Sequence, residues 1–200
     1  QYFIPPEGGA LNPSGRRQPI PDRTLGAQGQ RPGGAINPHA RKGVSTFGNT
    51  ASRRFFTKPK EIFMIRPIVK DILFLQRKAE KASRKDAQAG QDLLDTLAAH
   101  SDTCVGLAAN MIGSTKAIIA IKDGSHSILM YNPVLVKTSP SAYDAEEGCL
   151  SLSGHRPCRR YDWIEVRYED EDFHKKKKRF DGWTAEIIQH EMDHLQGILI

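Results

Sequence analysis

The 200-residue sequence predicts an α+β domain in which antiparallel sheets pack around a central C-terminal helix. Three observations support this fold class. Apolar residues follow a helical spacing between residues 86 and 100, short apolar or alternating segments lie within residues 117–168, and residues 184–195 contain neither glycine nor proline. The predicted order is therefore helix, strands, helix.

The first predicted helix runs from Asp86 to His100. Gly90 weakens this prediction only slightly. The second half of the segment places four apolar residues at the spacing of one helical face, namely Leu93, Leu94, Leu97 and Ala98.

The middle of the chain predicts strands. Residues 117–121 and 128–131 are apolar, as in buried strands, and Asp123-Gly124 marks the turn between them. Residues 133–136 continue the sheet. Residues 163–168 largely alternate apolar and polar side chains, which is typical of a half-exposed strand.

A run of five positive charges follows at residues 175–179. Because acidic residues at 169–172 lie just before it, we expect a solvated hairpin end. A contact with ribosomal RNA is the alternative for this run.

The C-terminal segment carries the strongest chemical signal. His190 and His194 are four residues apart in a predicted helix, so they share a face and can bind one metal ion. Glu191 lies beside them, where a carboxylate can take a proton from water. The alternative is a surface helix with two unrelated histidines.

Cys149, upstream of this helix, is the candidate third ligand. A thiolate is a strong ligand for a borderline divalent metal, and two His with one Cys leave a fourth position open, as in catalytic sites. Gly148 permits close backbone approach, and the backbone N–H of Leu150 could face an oxyanion. Taken alone, a cysteine is more often a small buried apolar residue.

Residues 104–113 give a weaker signal. Gly106 is followed by Leu-Ala-Ala, which favours a tight loop or bulge whose backbone can pair with an extended ligand. Ordinary packing gives the same pattern.

These three segments resemble, in order and approximate spacing, the motifs of peptide deformylases. Those motifs read Gly-x-Gly-Leu-Ala-Ala-x-Gln, Glu-Gly-Cys-Leu-Ser and His-Glu-x-x-His-Leu-x-Gly. The second matches at residues 147–151, and the third matches at residues 190–195 followed by Gly197. The resemblance implies a peptide deformylase-like catalytic domain over residues 64–200.

The resemblance implies removal of the N-formyl group from the initiator methionine of nascent polypeptides. It also implies Fe2+, for which Zn2+, Ni2+ or Co2+ can substitute, bound by Cys149, His190 and His194. Glu191 would accept a proton from metal-bound water and later pass one to the leaving amine. The Leu150 N–H and the metal would stabilise the oxyanion.

Further residues are implied as substrate contacts by the same resemblance: Gly106, Met111, Glu147, Gly148 and Arg156. Arg156 and Arg160 resemble arginines that brace the cysteine loop in the family. Solvated surface charges are an equal alternative for both.

The first motif departs from the family pattern. Cys104 replaces its first glycine, and Met111 replaces a glutamine whose amide donates to the formyl oxygen. A thioether cannot donate a hydrogen bond, and losing one such donor costs about 10²–10³ in rate. The prediction is a complete metal site with reduced deformylase activity. The alternative is a metal-binding protein that binds peptide N-termini without efficient turnover.

A zinc endopeptidase of the ordinary His-Glu-x-x-His type is a third class. Such enzymes take their third ligand downstream of the helix. Residues 196–200 contain no His, Asp or Glu, which disfavours this class.

Residues 1–63 differ in composition from the remainder. They contain most of the prolines and more than half of the glycines, together with a scattered excess of Lys and Arg. Such a segment cannot bury enough apolar surface to offset its chain entropy. We therefore expect a disordered or non-native extension without a part in the chemistry. A transit peptide and a basic nucleic-acid arm are the alternatives.

Composition also bears on location and partners. Three cysteines, an odd number, favour a reducing cytoplasm over a disulfide framework. No apolar run approaches the roughly 20 residues of a membrane span. The expected partners are N-formylmethionyl nascent peptides, with the ribosome as the partner of the alternative role for the basic run. Neither DNA nor a membrane is expected.

Overall fold

The structure is a computed structural model that describes residues 63–200. The predicted extension lies outside the described residues, apart from Phe63. In chain order the elements are α1 (Ile72–Leu75), α2 (Ala87–Ala99), β1 (Gly106–Ala108), β2 (Ile118–Asp123), β3 (His126–Thr138), β4 (Ala142–Gly148), β5 (His155–Tyr161), β6 (Trp163–Glu169), β7 (Lys175–Asp181) and α3 (Gly182–Leu195). Two short 3-10 helices lie at Arg84–Asp86 and Ala109–Ile112.

The strands form two antiparallel sheets. The larger has five strands in the order β1-β2-β3-β6-β7, and the smaller consists of β4 and β5. Helix α3 contacts the larger sheet through β1, β2, β6 and β7 and the smaller sheet through β5. This arrangement confirms the predicted α+β fold with its C-terminal helix between sheets.

Helix α2 confirms the prediction over residues 86–100 to within one residue at each end. Leu93 and Leu97 are fully buried in the core. Gly90 has a packing role, because a Cβ at this position would lie 2.1 Å from the Tyr131 hydroxyl of β3.

Strands β2 and β3 confirm the predicted hairpin. The turn residue Gly124 has a φ of +64°, a conformation that glycine adopts without strain. Strand β3 continues past Pro133, with a register shift against β6 between Tyr131 and Val134. The shift is expected there because proline has no N–H for the ladder. Strand β6 alternates buried and more exposed residues as predicted.

Three segments differ from expectation. Gly106–Ala108 forms an edge strand rather than a loop, and Lys175–Asp181 is a full strand paired with β6 rather than a hairpin end. The basic side chains of β7 are exposed, and Lys177 pairs with Glu165 at 2.8 Å. Charged side chains on an edge strand discourage pairing with other chains. The β4–β5 sheet was not predicted.

Within residues 63–200, none of the helices has the length and apolar character needed to cross a membrane. The three cysteines form no disulfide with one another.

Candidate active site

Two elements supply the three predicted metal ligands. His190 and His194 lie on the buried face of α3, and Cys149 follows β4 directly. The three side chains are at most 4 % exposed. Their ligand atoms all lie within 4.8 Å of one another. The structure therefore brings together the three residues that the motifs indicated.

The distances suit a tetrahedral divalent metal. The Nε2 atoms of His190 and His194 are 3.0 Å apart, and Cys149 Sγ lies 3.2 Å from His194 Nε2. Imidazole and thiolate ligands at their usual metal distances lie about 3.3–3.6 Å apart in a tetrahedron. Small outward shifts of these side chains would be enough to seat an ion, so the donor set fits a metal.

Hydrogen bonds on the far side of each imidazole select its ligating nitrogen. The Nδ1 of His190 lies 2.7 Å from Glu147 Oε2, and the Nδ1 of His194 lies 3.1 Å from the Ile198 carbonyl. Because both partners are acceptors, each Nδ1 carries a proton and each Nε2 is left to face the centre. Burial and the neighbouring His190 lower the pKa of His194 to about 3.

Glu147 belongs to a buried charged network behind the ligands. Arg160 binds its two carboxylate oxygens at 2.8 and 2.7 Å and reaches Asp193 at 2.7 Å. Burial alone would raise the pKa of Glu147, but the hydrogen bonds from His190 and Arg160 lower it to about 2. The network therefore holds a permanent negative charge next to His190.

Glu191 has a different environment. Its side chain is 3 % exposed, and Oε2 accepts no hydrogen bond from residues 63–200. Burial raises the pKa of Glu191 to about 7. A buried carboxyl group without a protein partner can exchange protons near neutral pH, which suits a general base that acts on a ligand or on water.

Gly106 of β1 packs directly on Glu191. A Cβ at this position would lie 2.5 Å from Glu191 Oε1 and 2.7 Å from Ile187 Cγ2. The Val105 carbonyl accepts from Lys122 N at 2.8 Å, so the backbone groups of Gly106 face away from β2. The edge of β1 at Gly106 therefore borders the cleft, with the Gly106 carbonyl already in contact with the Cys104 thiol.

A cleft opens beside Cys149 and His190, two of the three candidate ligands. Met111, Leu150, Gly106 and Gly148 line it together with Cys149, His190 and Glu191. Met111 is 2 % exposed, and its thioether replaces the amide donor that the resemblance placed here. Five of the predicted catalytic and substrate-binding residues thus surround one cleft.

Two predicted substrate contacts lie elsewhere. Glu147 is behind His190, where it orients the ligand instead of lining the cleft. The Arg156 guanidinium donates to the Ser153 carbonyl at 3.4 Å and is not among the described cleft residues. Of the two arginines that were expected to brace the cysteine loop, Arg160 makes the buried contacts.

Two further residues were not identified by the motifs. The Asn110 amide donates to the carbonyls of His194 at 3.0 Å and Leu75 at 3.2 Å, so it ties the end of α3 to the first helix. The Cys104 thiol donates to the Gly106 carbonyl at 2.8 Å, and burial raises the pKa of this thiol to about 12. A polar residue inside an otherwise apolar motif was the available signal for Asn110.

Comparison with protein families gives one clear result. The model of the polypeptide deformylase family matches residues 65–200. This range contains all of the ligands and cleft residues.

Individual proteins agree with the family match. A peptide deformylase of Clostridium beijerinckii is 54 % identical over 137 residues, which are 68 % of this chain and all of the relative. The Met-Ala-Ser-bound crystal structure of a class I type b peptide deformylase from Acinetobacter baumannii has a TM-score of 0.62 at 26 % identity, covering 68 % of this chain and 97 % of its own. The peptide deformylase of Thermotoga maritima has a TM-score of 0.61 at 28 % identity, covering 68 % and 94 %.

Proposed function

The chain belongs to the polypeptide deformylase family, and from this premise we propose that its cleft removes the N-formyl group from nascent polypeptides. The observation that carries the proposal is the grouping of Cys149, His190 and His194 near Glu191, whose Oε2 atom has no hydrogen-bond partner within residues 63–200. The peptide-bound Acinetobacter structure supports a substrate that begins with methionine.

We propose Fe2+ as the metal, with Zn2+, Ni2+ or Co2+ as substitutes. A thiolate with two imidazoles suits borderline divalent ions of this series. When bound, the metal supplies a Lewis acid that activates water and polarises the formyl carbonyl. Cys149, His190 and His194 would hold it, and Glu147 would keep His190 oriented.

The chain's own residues would carry out the proton transfers, stabilise the oxyanion and hold the peptide. Glu191 would accept a proton from the attacking water and deliver one to the leaving amine, because its carboxylate lies in the cleft without a competing donor. The Leu150 N–H would stabilise the oxyanion. The open edge of β1 at Gly106 would hold the peptide backbone.

Metal-loaded protein should release formate from formyl-Met-Ala-Ser. Glu191→Gln should reduce kcat by about 10²–10⁴, because the proton-transfer group is lost. Glu186→Gln is the matched control, since this half-buried residue of α3 pairs with Tyr143 outside the cleft. Full activity of a metal-loaded Glu191→Gln variant would contradict the assignment.

The assignment of the three metal ligands is tested separately. Cys149→Ala should strip the metal, measured by elemental analysis after purification under anaerobic conditions. Cys158→Ala should retain it, because Cys158 lies on β5 outside the ligand group. A fully occupied Cys149→Ala variant would show that the ligand set is wrong.

A second candidate function rests on Met111. Its thioether lines the cleft but cannot donate to a formyl oxygen, which favours a protein that binds peptide N-termini with slow turnover. A kcat at the level of ordinary deformylases would exclude this candidate.

We also propose action in the cytoplasm near the ribosome, since the substrate is a nascent chain. The exposed lysines of β7 are the surface on which we would look for a ribosomal contact. Residues 1–63 are proposed to take no part in the chemistry, which the family match over residues 65–200 supports. Deleting them should leave metal content and activity unchanged.

A further inference from the structure

The segment at residues 64–66 is held along α2 by polar contacts. The backbone N–H of Met64 donates to Asp95 Oδ2 at 2.8 Å, and the N–H of Arg66 donates to Thr96 Oγ1 at 3.0 Å. The Arg66 guanidinium lies 2.6 Å from Asp92 Oδ2. The neighbouring side chains of Phe63 and Ile65 are exposed. Polar side chains of α2 therefore fix the position of this segment.

Asp92 and Asp95 have parallel environments with one difference. Both are buried, and each accepts a hydrogen bond of 2.8 Å from the glutamine four residues earlier, Gln88 or Gln91. The second contact of Asp92 is an arginine, whereas that of Asp95 is the neutral peptide N–H of Met64. Among the described residues, no Lys, Arg or His forms an ion pair with Asp95.

A buried carboxylate is normally paired with a cation. The Met64 nitrogen already occupies the position that such a cation would need. If Met64 were the first residue, this nitrogen would be an α-amino group, which is mostly protonated at pH 7. The contact would then become an ion pair without any movement of the chain.

The lengths of the matched segments agree with a start at this residue. Met64 is the first methionine of the sequence, and residues 64–200 number 137. The Clostridium deformylase aligns over 137 residues along its entire length. The family match starts one residue later, at residue 65.

We propose that Met64 is the mature N-terminus and that Asp95 is the anchor for its α-ammonium group. This proposal rests on the proposed function in one respect: a chain initiated at Met64 carries a formyl group, so it is itself a substrate of another copy of the enzyme. Water adds its oxygen to the formyl carbon, the C–N bond breaks and formate leaves. The nitrogen gains both protons of the water and so becomes a charged ammonium group. Until then the Met64 nitrogen is a neutral amide and gives Asp95 only a neutral donor.

Thermal unfolding of two chain lengths tests the anchor. Both core clusters lie within residues 64–200, so the shorter chain keeps the whole described core. Asp95→Asn should lower the Tm of the chain that starts at Met64 by about 2–4 °C more than that of the 200-residue chain. The reason is that asparagine can still accept from a peptide N–H but cannot neutralise an ammonium group.

Asp92→Asn is the matched control, because its partner Arg66 is present in both chains. It should lower the two Tm values equally. A formylated Met64 chain, made with a deformylase inhibitor present during expression, should behave like the 200-residue chain. Equal effects of Asp95→Asn on both chain lengths would overturn the proposal.

A second measurement does not require the variant to fold. The α-amine of the native chain starting at Met64 should react with an acylating reagent about tenfold more slowly than in the urea-unfolded chain, because the ion pair keeps it protonated. Equal rates would overturn the anchor. Neither readout depends on turnover, so a failure of the anchor is distinct from a failure of formyl-peptide hydrolysis.

Discussion

Glu147 accepts a hydrogen bond of 2.7 Å from the imidazole of His190, and its carboxylate is itself fixed by Arg160. Glu147 therefore fixes the orientation of His190, one of the three candidate metal ligands, while Arg160 holds the Glu147 carboxylate in place. Such partners of metal ligands contribute to affinity without touching the ion.

Glu147→Gln should weaken metal binding by about 10–100-fold. The amide can still accept from Nδ1, but it carries no charge and loses the paired contact with Arg160. The affinity can be measured by titration against a chelator. Glu146→Gln, at the exposed neighbouring residue, should leave the affinity unchanged. A similar loss in both variants would mean that the effect is not specific to the contact with His190.

The same carboxylate should govern stability in acid. Its pKa is lowered from 4.5 to about 2 by His190 and Arg160 against the opposing effect of burial. Because the folded value is the lower one, the contribution is fully present above pH 4.5 and is lost as the pH falls through about 2. With a chelator present, the difference in unfolding free energy between wild type and Glu147→Gln should shrink across this window by on the order of 3 kcal/mol. A constant difference would exclude this linkage.

Met111→Gln should raise kcat by about a hundredfold or more if the missing donor limits turnover. Glutamine would place an amide N–H in the cleft where the thioether now lies. Met111→Leu is the control, since leucine also lacks a donor and should give no gain. Both variants are assayed on a formyl-Met peptide with metal content matched to wild type. An unchanged rate in Met111→Gln would rule out the missing donor as the limit.

Gly106→Ala should reduce kcat/KM more than it reduces stability. The added Cβ would meet Glu191 Oε1 at 2.5 Å and push the carboxylate from its position. Gly90→Ala is the control, because its Cβ would meet Tyr131, which does not line the cleft. That variant should lower Tm while the folded fraction keeps its kcat/KM. The reverse pattern would show that Gly106 serves packing alone.

The sequence was sufficient to predict that Cys149, His190 and His194 lie together, because short motifs contain them. His190 and His194 are placed by helical periodicity alone, and Cys149 by a motif of five residues. The apolar parts of strands β2 and β3 could also be predicted from the sequence, since a buried strand has a distinctive composition.

The β4–β5 sheet could not be predicted from the sequence, for a physical reason. Its strands are largely polar, and their register brings Glu147 opposite Arg156. The buried partner of Glu147 is nevertheless Arg160, four residues further along β5. Such a choice depends on α3 lying against the sheet, so sequence alone left both arginines equivalent. The same limit applies to Asn110, whose two acceptors are distant in sequence.

The placement of the ligands on two separate elements has a consequence for the lifetime of the protein. Cys149 follows a strand of the small sheet, and both histidines belong to the helix, so a bound ion cross-links them. Losing the ion would stop catalysis and would leave the contacts of Glu147 with His190 and of Arg160 with Asp193 to hold the β4–β5 hairpin on the helix. With one link fewer, local opening of the hairpin, where proteases act, should become easier. In a cell that is short of the metal, the metal-free enzyme would be degraded faster than the metal-bound enzyme. Metal supply would then set how much enzyme persists as well as how fast it works.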